Sequence, residues 1–263
     1  MATENFYRRP PLAPAAPYSS LAPIYDRIMA HVEYRSWLRL IQTVCERHAP
    51  TVPPSILEIG GGTGVLGRMM CDNGFAYQGS DLSPAMCVEA KKRGCAFVCA
   101  DGRKLPFNRR FDVALFLYDG INYLLDTADY ACLCSEVYRC LKPGGLFLFD
   151  VTTETNSLRH FLDFLDYEDY DDWVYIRRSY YERSTRLQCN DFTLFHRIRG
   201  AAGDVFERYT ERHTQKVLSV EEISRAIPGD LFSIVGVWDG FSFRRYSPRS
   251  ERIHFLLKRR GAQ

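Results

Sequence analysis

The chain lacks the charge excess and the long apolar runs that mark nucleic-acid-binding and membrane proteins. Its 263 residues include 34 Lys and Arg against 32 Asp and Glu, which gives a net charge of +2. Nucleic-acid-binding domains usually carry a clear positive excess, so this balance argues against a nucleic-acid partner. No apolar run approaches the length of a membrane span, and the first residues lack the apolar core of a signal peptide. We therefore expect a cytoplasmic protein with no membrane partner.

Signs of a disulfide framework or a metal site are missing as well. The nine cysteines are an odd number and include no Cys-x-x-Cys pair. We expect them to be small buried side chains in a reducing compartment, and we expect no bound metal. A group of arginines near the C-terminus is expected to form a solvated edge: Arg244, Arg245, Arg249 and Arg252.

The most informative segment is residues 55–64. A short apolar run with Glu58 near its end is followed by a turn that contains Gly60, Gly61, Gly62 and Gly64. Glycines let the backbone approach a ligand closely, and the N-terminus of the following helix offers free N–H groups. This construction predicts a binding site for a nucleotide-like cofactor.

Further apolar runs follow, separated by helical segments. Their ends carry residues suited to ligand binding: Asp81 after residues 75–80, Ala100, Asp101 and Gly102 after residues 95–99, and Tyr118 and Asp119 after residues 111–117. Strands that alternate with helices predict an α/β protein with a doubly wound, mostly parallel sheet. Ligands bind such sheets at the carboxyl ends of the strands, where these residues fall.

One ordered set of motifs resembles that of the class I, Rossmann-like methyltransferases, which use S-adenosylmethionine (SAM). The set is Glu58-x-Gly60-x-Gly62-x-Gly64, Asp81-x-Ser83, Ala100-Asp101 and Leu141-Lys142-Pro143-Gly144-Gly145. The resemblance covers about residues 18–258. It implies a seven-stranded sheet with helices on both faces, SAM as the cofactor and S-adenosylhomocysteine as the product.

The resemblance also implies roles for single residues in holding SAM. The acid at Asp81 is expected to hold the ribose hydroxyls, and Asp101 is expected near the adenine amino group. Glu58 is expected to shape the glycine turn and to reach the methionine end through water. The full implied set is Tyr25, Glu58, Gly60, Gly61, Gly62, Gly64, Asp81, Leu82, Ala100, Asp101, Gly102, Leu117 and Tyr118.

Two other functions remain open from the residues. The stretch 62–67 satisfies G-x-G-x-x-G, with Asp81 close to the distance expected of an NAD(P)-dependent oxidoreductase. Against that alternative, Gly60 and Gly61 come between the strand and the motif, and Glu58 would place a carboxylate beside a pyrophosphate. The other alternative is a non-catalytic SAM-binding module.

The organisation of the chain follows from its composition and from the resemblance. The proline-rich residues 1–17 are expected to be a flexible tail, residues 18–50 a helical lid, and residues 51–151 the SAM-binding core. Residues 152–218 contain three β-rich segments (173–181, 187–199 and 205–217), which resemble the antiparallel extension of small-molecule methyltransferases. Residues 219–263 begin with a capping box at Ser219 and Glu222 and are expected to add a helix and a β-hairpin to the core.

The acceptor is expected beside the fourth strand. Methyl transfer is an in-line displacement, so the protein mainly aligns the two reactants, and a base helps only when the acceptor loses a proton. Tyr118 and Asp119 are the catalytic candidates, although Asp119 also suits a turn cap. The substrate candidates are Asn122, Tyr123 and one face of a predicted strand, with Tyr209, Glu211 and His213. We expect methyl transfer to nitrogen or oxygen of a small molecule, by a monomer or a homodimer.

Overall fold

The computed structural model describes residues 14–200, 203 and 205–261, and its centre is a seven-stranded sheet. The strands are β1 (Ser55–Ile59), β2 (Ala76–Asp81), β3 (Phe97–Cys99), β4 (Phe111–Phe116), β5 (Leu141–Thr152), β10 (Phe232–Asp239) and β11 (Arg252–Arg259). They lie in the order β3-β2-β1-β4-β5-β11-β10. Strand β11 runs antiparallel to β10 and β5, and the other neighbouring strands of this sheet are parallel. The predicted doubly wound, mostly parallel sheet is confirmed.

Helices cover both faces of this sheet. One face packs against α2 (Tyr34–His48), α3 (Val65–Asp72) and α4 (Pro84–Lys92), and the other against α5 (Thr127–Cys140) and α7 (Val220–Ala226). Successive side chains of a strand point to opposite faces. Ile56 therefore packs on the face covered by α2, α3 and α4, and Leu57 packs on the face covered by α5 and α7. Because both faces are buried, the central strands β1, β4 and β5 are mostly apolar, as the sequence pattern indicates. None of the described helices is long and apolar enough to cross a membrane.

The segment with the sequence Lys-Pro-Gly-Gly lies within a strand. A proline followed by two glycines favours a break before the apolar run 146–151, but β5 runs from Leu141 to Thr152. Its pairing with β4 shifts between Phe111↔Leu141 and Val113↔Leu146, so the extra residues form a bulge. Gly144 has a φ of 73°, a conformation that residues with a side chain rarely adopt. The glycines therefore mark an irregularity within β5 and not the end of an element.

An antiparallel extension follows β5 and the short helix α6 (Glu154–His160). Its strands are β6 (Asp163–Asp169), β7 (Trp173–Glu182), β8 (Leu187–Arg197) and β9 (Phe206–Lys216), paired in chain order. The extension is confirmed, with one strand more than the three predicted β-rich segments. Strand β6 is acidic and mostly exposed, so it lacks the apolar alternation by which strands are recognised.

The N-terminal part of the described chain lies across the extension. Residues 1–13 of the predicted tail are outside the described residues, but Ala15 forms a parallel bridge with Glu211 of β9. The chain then forms a 3-10 helix (Ala22–Ile24) and α1 (Tyr25–Ile28) before α2. Leu21 and Ile24 pack with Tyr175, Phe192 and Leu194 of the extension in a third apolar cluster. Residues 14–31 are called the N-terminal strap below.

Candidate functional site

The turn between β1 and α3 has the backbone that its glycines permit. Gly60, Gly62 and Gly64 have φ values of 64°, 56° and 77°. A Cβ atom on Gly60 would lie 2.8 Å from Cε2 of Phe116, and one on Gly61 would lie 2.9 Å from Oε2 of Glu58. Side chains at these positions would therefore require strain or displacement of the surrounding site.

Asp81 ties the end of β2 to this turn. Its Oδ2 atom accepts a hydrogen bond from the Gly62 N–H (2.9 Å), and Oδ1 accepts one from the Ser83 N–H (2.8 Å). Burial raises the pKa of this carboxyl, and the backbone N–H groups act against that rise. The neighbouring Leu82 is 66% exposed, which leaves an apolar surface beside the carboxylate.

Glu58 is buried beneath the turn. Its carboxylate accepts a hydrogen bond from the Tyr77 hydroxyl at 2.5 Å. Burial raises the pKa of Glu58 to about 7, although the Tyr77 hydrogen bond acts against this. A small cavity of about 60 Å³ reaches this carboxylate from the glycine turn and is called the loop cavity. Six of the predicted cofactor-binding residues line it: Tyr25, Glu58, Gly60, Gly61, Leu117 and Tyr118.

The residues after β3 are placed beside the same edge of the sheet. The Ala100 N–H donates to the Asp81 backbone carbonyl at 2.9 Å. A Cβ atom on Gly102 would lie 3.0 Å from Cγ2 of Ile59. Asp101 accepts hydrogen bonds from the Arg103 backbone and guanidinium, which hold the pKa of Asp101 below its usual range. A ligand that donates to the Asp101 carboxylate would therefore share its oxygens with Arg103 or displace the Arg103 side chain.

A larger cavity of about 530 Å³ lies between the strap, the loop after β4, α6 and the extension. We call it the acceptor cavity. Tyr25, Met29 and Tyr118 line this cavity and the loop cavity alike, so the two spaces meet there. Of the residues predicted on the acceptor side, it is lined by Tyr118, Asp119, Tyr123 and His213.

Asp119 belongs to a buried ionic cluster that was not predicted. Nη2 of Arg252 lies 2.9 Å from Oδ1 of Asp119, and Nη1 pairs with Asp150. The Asp119 carboxylate also accepts a hydrogen bond from Gln215 at 2.7 Å, and the Asp119 N–H donates to Asp150 at 2.9 Å. Burial raises the pKa values of Asp119 and Asp150, and Arg252 acts against that rise.

The expectation of a solvated edge was therefore wrong for Arg252. Its guanidinium lies 4.9 Å from the ring centroid of Tyr118 and 5.4 Å from that of Trp37, inside the site. The ionic cluster explains the burial, because its two carboxylates compensate the loss of solvation. One sequence signal could have indicated the cluster: Asp150 stands inside the apolar run of β5 and is fully buried.

A second hydrogen-bonded chain enters the acceptor cavity from the extension. The hydroxyls of Tyr18 and Tyr123 are 2.6 Å apart, and the Tyr123 hydroxyl lies 2.8 Å from Nδ1 of His213. Nε2 of His213 lies 3.1 Å from Oε2 of Glu211. Although burial acts to raise the pKa of Glu211, hydrogen bonds from His213 and the strap backbone lower it overall. Tyr18, like Arg252, was not a predicted site residue.

Three substrate candidates lie outside the cavity lining: Asn122, Tyr209 and Glu211. Asn122 is fully buried, and its side chain donates to the Lys216 carbonyl (2.8 Å) and accepts from the Thr152 N–H (3.1 Å). Those bonds join the loop after β4 to β9 and β5. Tyr209 packs beside the third apolar cluster and donates its hydroxyl to Glu207. Glu211 stands behind His213, so His213 is the member of the predicted face that reaches the cavity.

Comparisons with known proteins agree with this architecture. Residues 56–145 match a family model described as a methyltransferase domain. The chain is 28% identical over 248 residues to the putative methyltransferase YqeM of Bacillus subtilis, covering 92% of this chain and 97% of that protein. It is 27% identical to the solved S-adenosylmethionine-dependent methyltransferase of Clostridium acetobutylicum, with a TM-score of 0.76 over 93% of this chain and 99% of that one.

The chain is a class I, Rossmann-like methyltransferase that uses SAM. Its glycine turn fits that cofactor, because no Cβ atom covers Gly60 or Gly62 and the Asp81 carboxylate is held beside the turn. Partial likeness extends to a demethylmenaquinone methyltransferase of Thermus thermophilus, which is 30% identical over 49% of this chain and 60% of its own length. The fold is also that of the sugar N-methyltransferase KedS8 of Streptoalloteichus, with a TM-score of 0.70 at 18% identity over 99% of each chain.

Proposed function

We propose that this methyltransferase transfers the methyl group of SAM to a nitrogen or oxygen atom of a small molecule in the acceptor cavity. The observation that carries the proposal is the junction of the two cavities at Tyr25, Met29 and Tyr118. An acceptor on one side of this junction would meet the methyl end of SAM on the other. In-line attack needs this approach, since the entering atom, the methyl group and the sulfur must be aligned.

We assign the cofactor contacts to the residues around the glycine turn. Asp81 would accept hydrogen bonds from the ribose hydroxyls, and Leu82 would pack against the adenine. Ala100, Asp101 and Gly102 would border the adenine from the end of β3. Glu58 would face the methionine end across the loop cavity, whose walls include Gly60, Gly61 and Leu117. Bound SAM supplies an activated methyl group, and the protein supplies alignment.

Asp119 suits an acceptor nitrogen. It shares the single guanidinium of Arg252 with Asp150, so the cluster contains two carboxylates and one fixed cation. We infer that Asp119 orients an amine by accepting a hydrogen bond, with Tyr118 as the wall of the junction. During the transfer a bond forms between the acceptor atom and the methyl carbon. The bond from that carbon to sulfur breaks, and S-adenosylhomocysteine is released.

The phenol–imidazole chain offers an exit for the acceptor proton. With Glu211 ionised, His213 directs its Nε2–H toward Glu211 and leaves Nδ1 free to accept from Tyr123. A proton released by the acceptor can pass to Tyr18, from Tyr18 to Tyr123 and from Tyr123 to Nδ1. Nitrogen and oxygen acceptors lose such a proton during or after methylation, and this polar lining favours them.

Transfer of labelled methyl groups tests the proposal. The protein is incubated with SAM labelled with ¹³C at the methyl group and with a panel of small amines, alcohols, phenols and quinones. We expect turnover of an amine or hydroxyl compound, with the label in an N-methyl or O-methyl group by nuclear magnetic resonance. A label found on carbon, or found on proteins and nucleic acids instead of small molecules, would contradict it.

We also propose a cytoplasmic location, because all nine cysteines are free thiols.

A further inference from the structure

Arg177 of β7 lines the acceptor cavity and is the least satisfied of its arginines. Its Nη2 atom donates to Oδ2 of Asp166 at 2.9 Å. Its Nε atom is buried and has no hydrogen-bond partner among the described residues. A buried donor without a partner costs stability, so such groups usually serve a ligand, an ordered water or a function.

The other arginines of the cavity are more completely paired. Arg252 lies between Asp119 and Asp150. Arg159 pairs with Glu251 at 2.7 Å, and its side chain is 55% exposed, so its remaining donors can bind water. The partner of Arg177 is itself shared, because Asp166 also accepts a hydrogen bond from the Tyr175 hydroxyl at 3.1 Å. Arg177 thus keeps donors that the protein does not use.

Arg177 and Phe164 line the extension end of the acceptor cavity together. The Arg177 guanidinium lies 5.3 Å from the ring centroid of Phe164, which limits the orientations of its plane. Burial raises the pKa of Tyr118 to about 12, and the positive charges of Arg252 and Arg177 act against that rise. Arg177 therefore acts electrostatically on the junction from the extension side. A guanidinium fork matches the two oxygens of a carboxylate or phosphate.

We propose that the acceptor carries an anionic group, a carboxylate or a phosphate, and that Arg177 binds it at the extension end of the acceptor cavity. The nitrogen or oxygen that receives the methyl group then lies at the opposite end, beside Tyr118 and Asp119. The inference rests on the proposed function for the place of the acceptor. It adds a requirement: the substrate has a nucleophilic end and an anionic end.

Binding of small probes tests the anion site without knowledge of the substrate. The protein saturated with S-adenosylhomocysteine is titrated calorimetrically with benzoate, phenyl phosphate and the neutral benzamide, at constant ionic strength. We expect at least one anion to bind about tenfold more tightly than benzamide, since a guanidinium adds a charge-assisted pair to the aromatic contact. Preference for benzoate indicates a carboxylate, and preference for phenyl phosphate indicates a phosphate. Equal binding of benzamide and both anions would overturn the proposal.

Two variants locate the site. Arg177→Gln should abolish the preference for the anion, and Arg177→Lys should retain part of it. The control is Arg178→Gln, because the Arg178 side chain is 67% exposed and does not line the cavity. A preference that survives in Arg177→Gln would overturn the assignment.

Binding of S-adenosylhomocysteine is measured for each variant and shows whether the cofactor site is intact. If the wild type does not bind S-adenosylhomocysteine, the cofactor assignment on which the proposed function rests is wrong. Cofactor binding without anion preference overturns the anion site alone.

Discussion

Three buried carboxylates of the site have different partners. Glu58 accepts a hydrogen bond from a phenol, Asp81 accepts two from backbone N–H groups, and Asp119 faces the guanidinium of Arg252. Burial raises the pKa of all three, and for Glu58 it reaches about 7. We therefore expect Glu58 to change its protonation state near neutral pH.

Cofactor binding should depend on pH through Glu58. The ionised carboxylate attracts the α-ammonium group of S-adenosylhomocysteine, and the protonated acid does not. We expect calorimetric affinity to rise from about pH 5.5 to about pH 8 and then to level off, because the ligand-free carboxyl is fully ionised only about one pH unit above its pKa. Glu58→Gln should bind more weakly and without this dependence. The assignment of Glu58 to the methionine end would be wrong if both proteins showed the same pH profile.

The same group should lower the stability of the ligand-free protein above neutral pH. Its folded-state pKa of about 7 lies above the ordinary value of 4.5, so the folded chain holds the proton more tightly than the unfolded chain. The resulting stabilisation is present below the unfolded value and is lost as pH rises through the folded value. Between about pH 5 and about pH 8, the free energy of unfolding of the wild type should fall by up to roughly 3 kcal/mol relative to that of Glu58→Gln, as measured by urea unfolding. If the difference in free energy of unfolding between the two proteins stayed constant with pH, the raised pKa of Glu58 would not be its cause.

Asp119 should matter for turnover more than for cofactor affinity. Asp119→Asn removes a charge from the acceptor end and leaves the glycine turn and Asp81 unchanged. We expect the rate with the true acceptor to fall by about 10²-fold, while affinity for S-adenosylhomocysteine changes by less than about threefold. Asp163→Asn is the control, because that carboxylate is 81% exposed on β6. A wild-type rate in Asp119→Asn would show that Asp119 is structural.

At the scale of elements, Glu211 fastens the N-terminal strap to β9. Its carboxylate accepts hydrogen bonds from the backbone N–H groups of Tyr18 (2.7 Å), Leu21 (3.0 Å) and Ser20. The strap in turn brings Tyr18 to Tyr123, and the Tyr18 carbonyl accepts from the Ser83 hydroxyl at 3.2 Å. Glu211 thus holds the strap on the extension, and the strap itself contacts the cofactor side through Ser83.

Neutralising this carboxylate should loosen the strap. In Glu211→Gln the charge-assisted bonds to the strap weaken, so we expect the amides of Ser20 and Leu21 to exchange with deuterium at least about tenfold faster. Glu207→Gln is the control, since Glu207 lies on the same strand and is exposed. Unchanged exchange at both amides would show that the apolar cluster holds the strap without Glu211.

The elements could be predicted where the side-chain pattern reports burial. Strands β1, β4 and β5 are mostly apolar because both faces of the sheet are covered, and the capping box at Ser219 marks the start of α7. Strand β6 escaped prediction because its residues are acidic and exposed, so pairing with β7 holds it in place without an apolar pattern. The bulge in β5 escaped because pairing with β4 and β11 continues on both sides of the turn.

At the scale of the whole molecule, the two halves of the site differ in what the sequence reveals. The cofactor half is built from local motifs at strand ends, and the sheet brings those ends together. The acceptor half combines the strap, α6, the extension and Arg252, which are far apart in the chain. Its ionic cluster and its phenol–imidazole chain depend on long-range contacts, which composition and spacing do not specify.

The most direct measurement of the central claim is a calorimetric titration of the wild type and Asp81→Ala with S-adenosylhomocysteine, with NAD as the parallel ligand. We predict that the wild type binds S-adenosylhomocysteine and not NAD. In a folded Asp81→Ala the affinity should fall by at least about 30-fold, because charge-assisted bonds to the ribose are lost. Binding of NAD alone, or unchanged affinity for S-adenosylhomocysteine in the folded variant, would contradict the account.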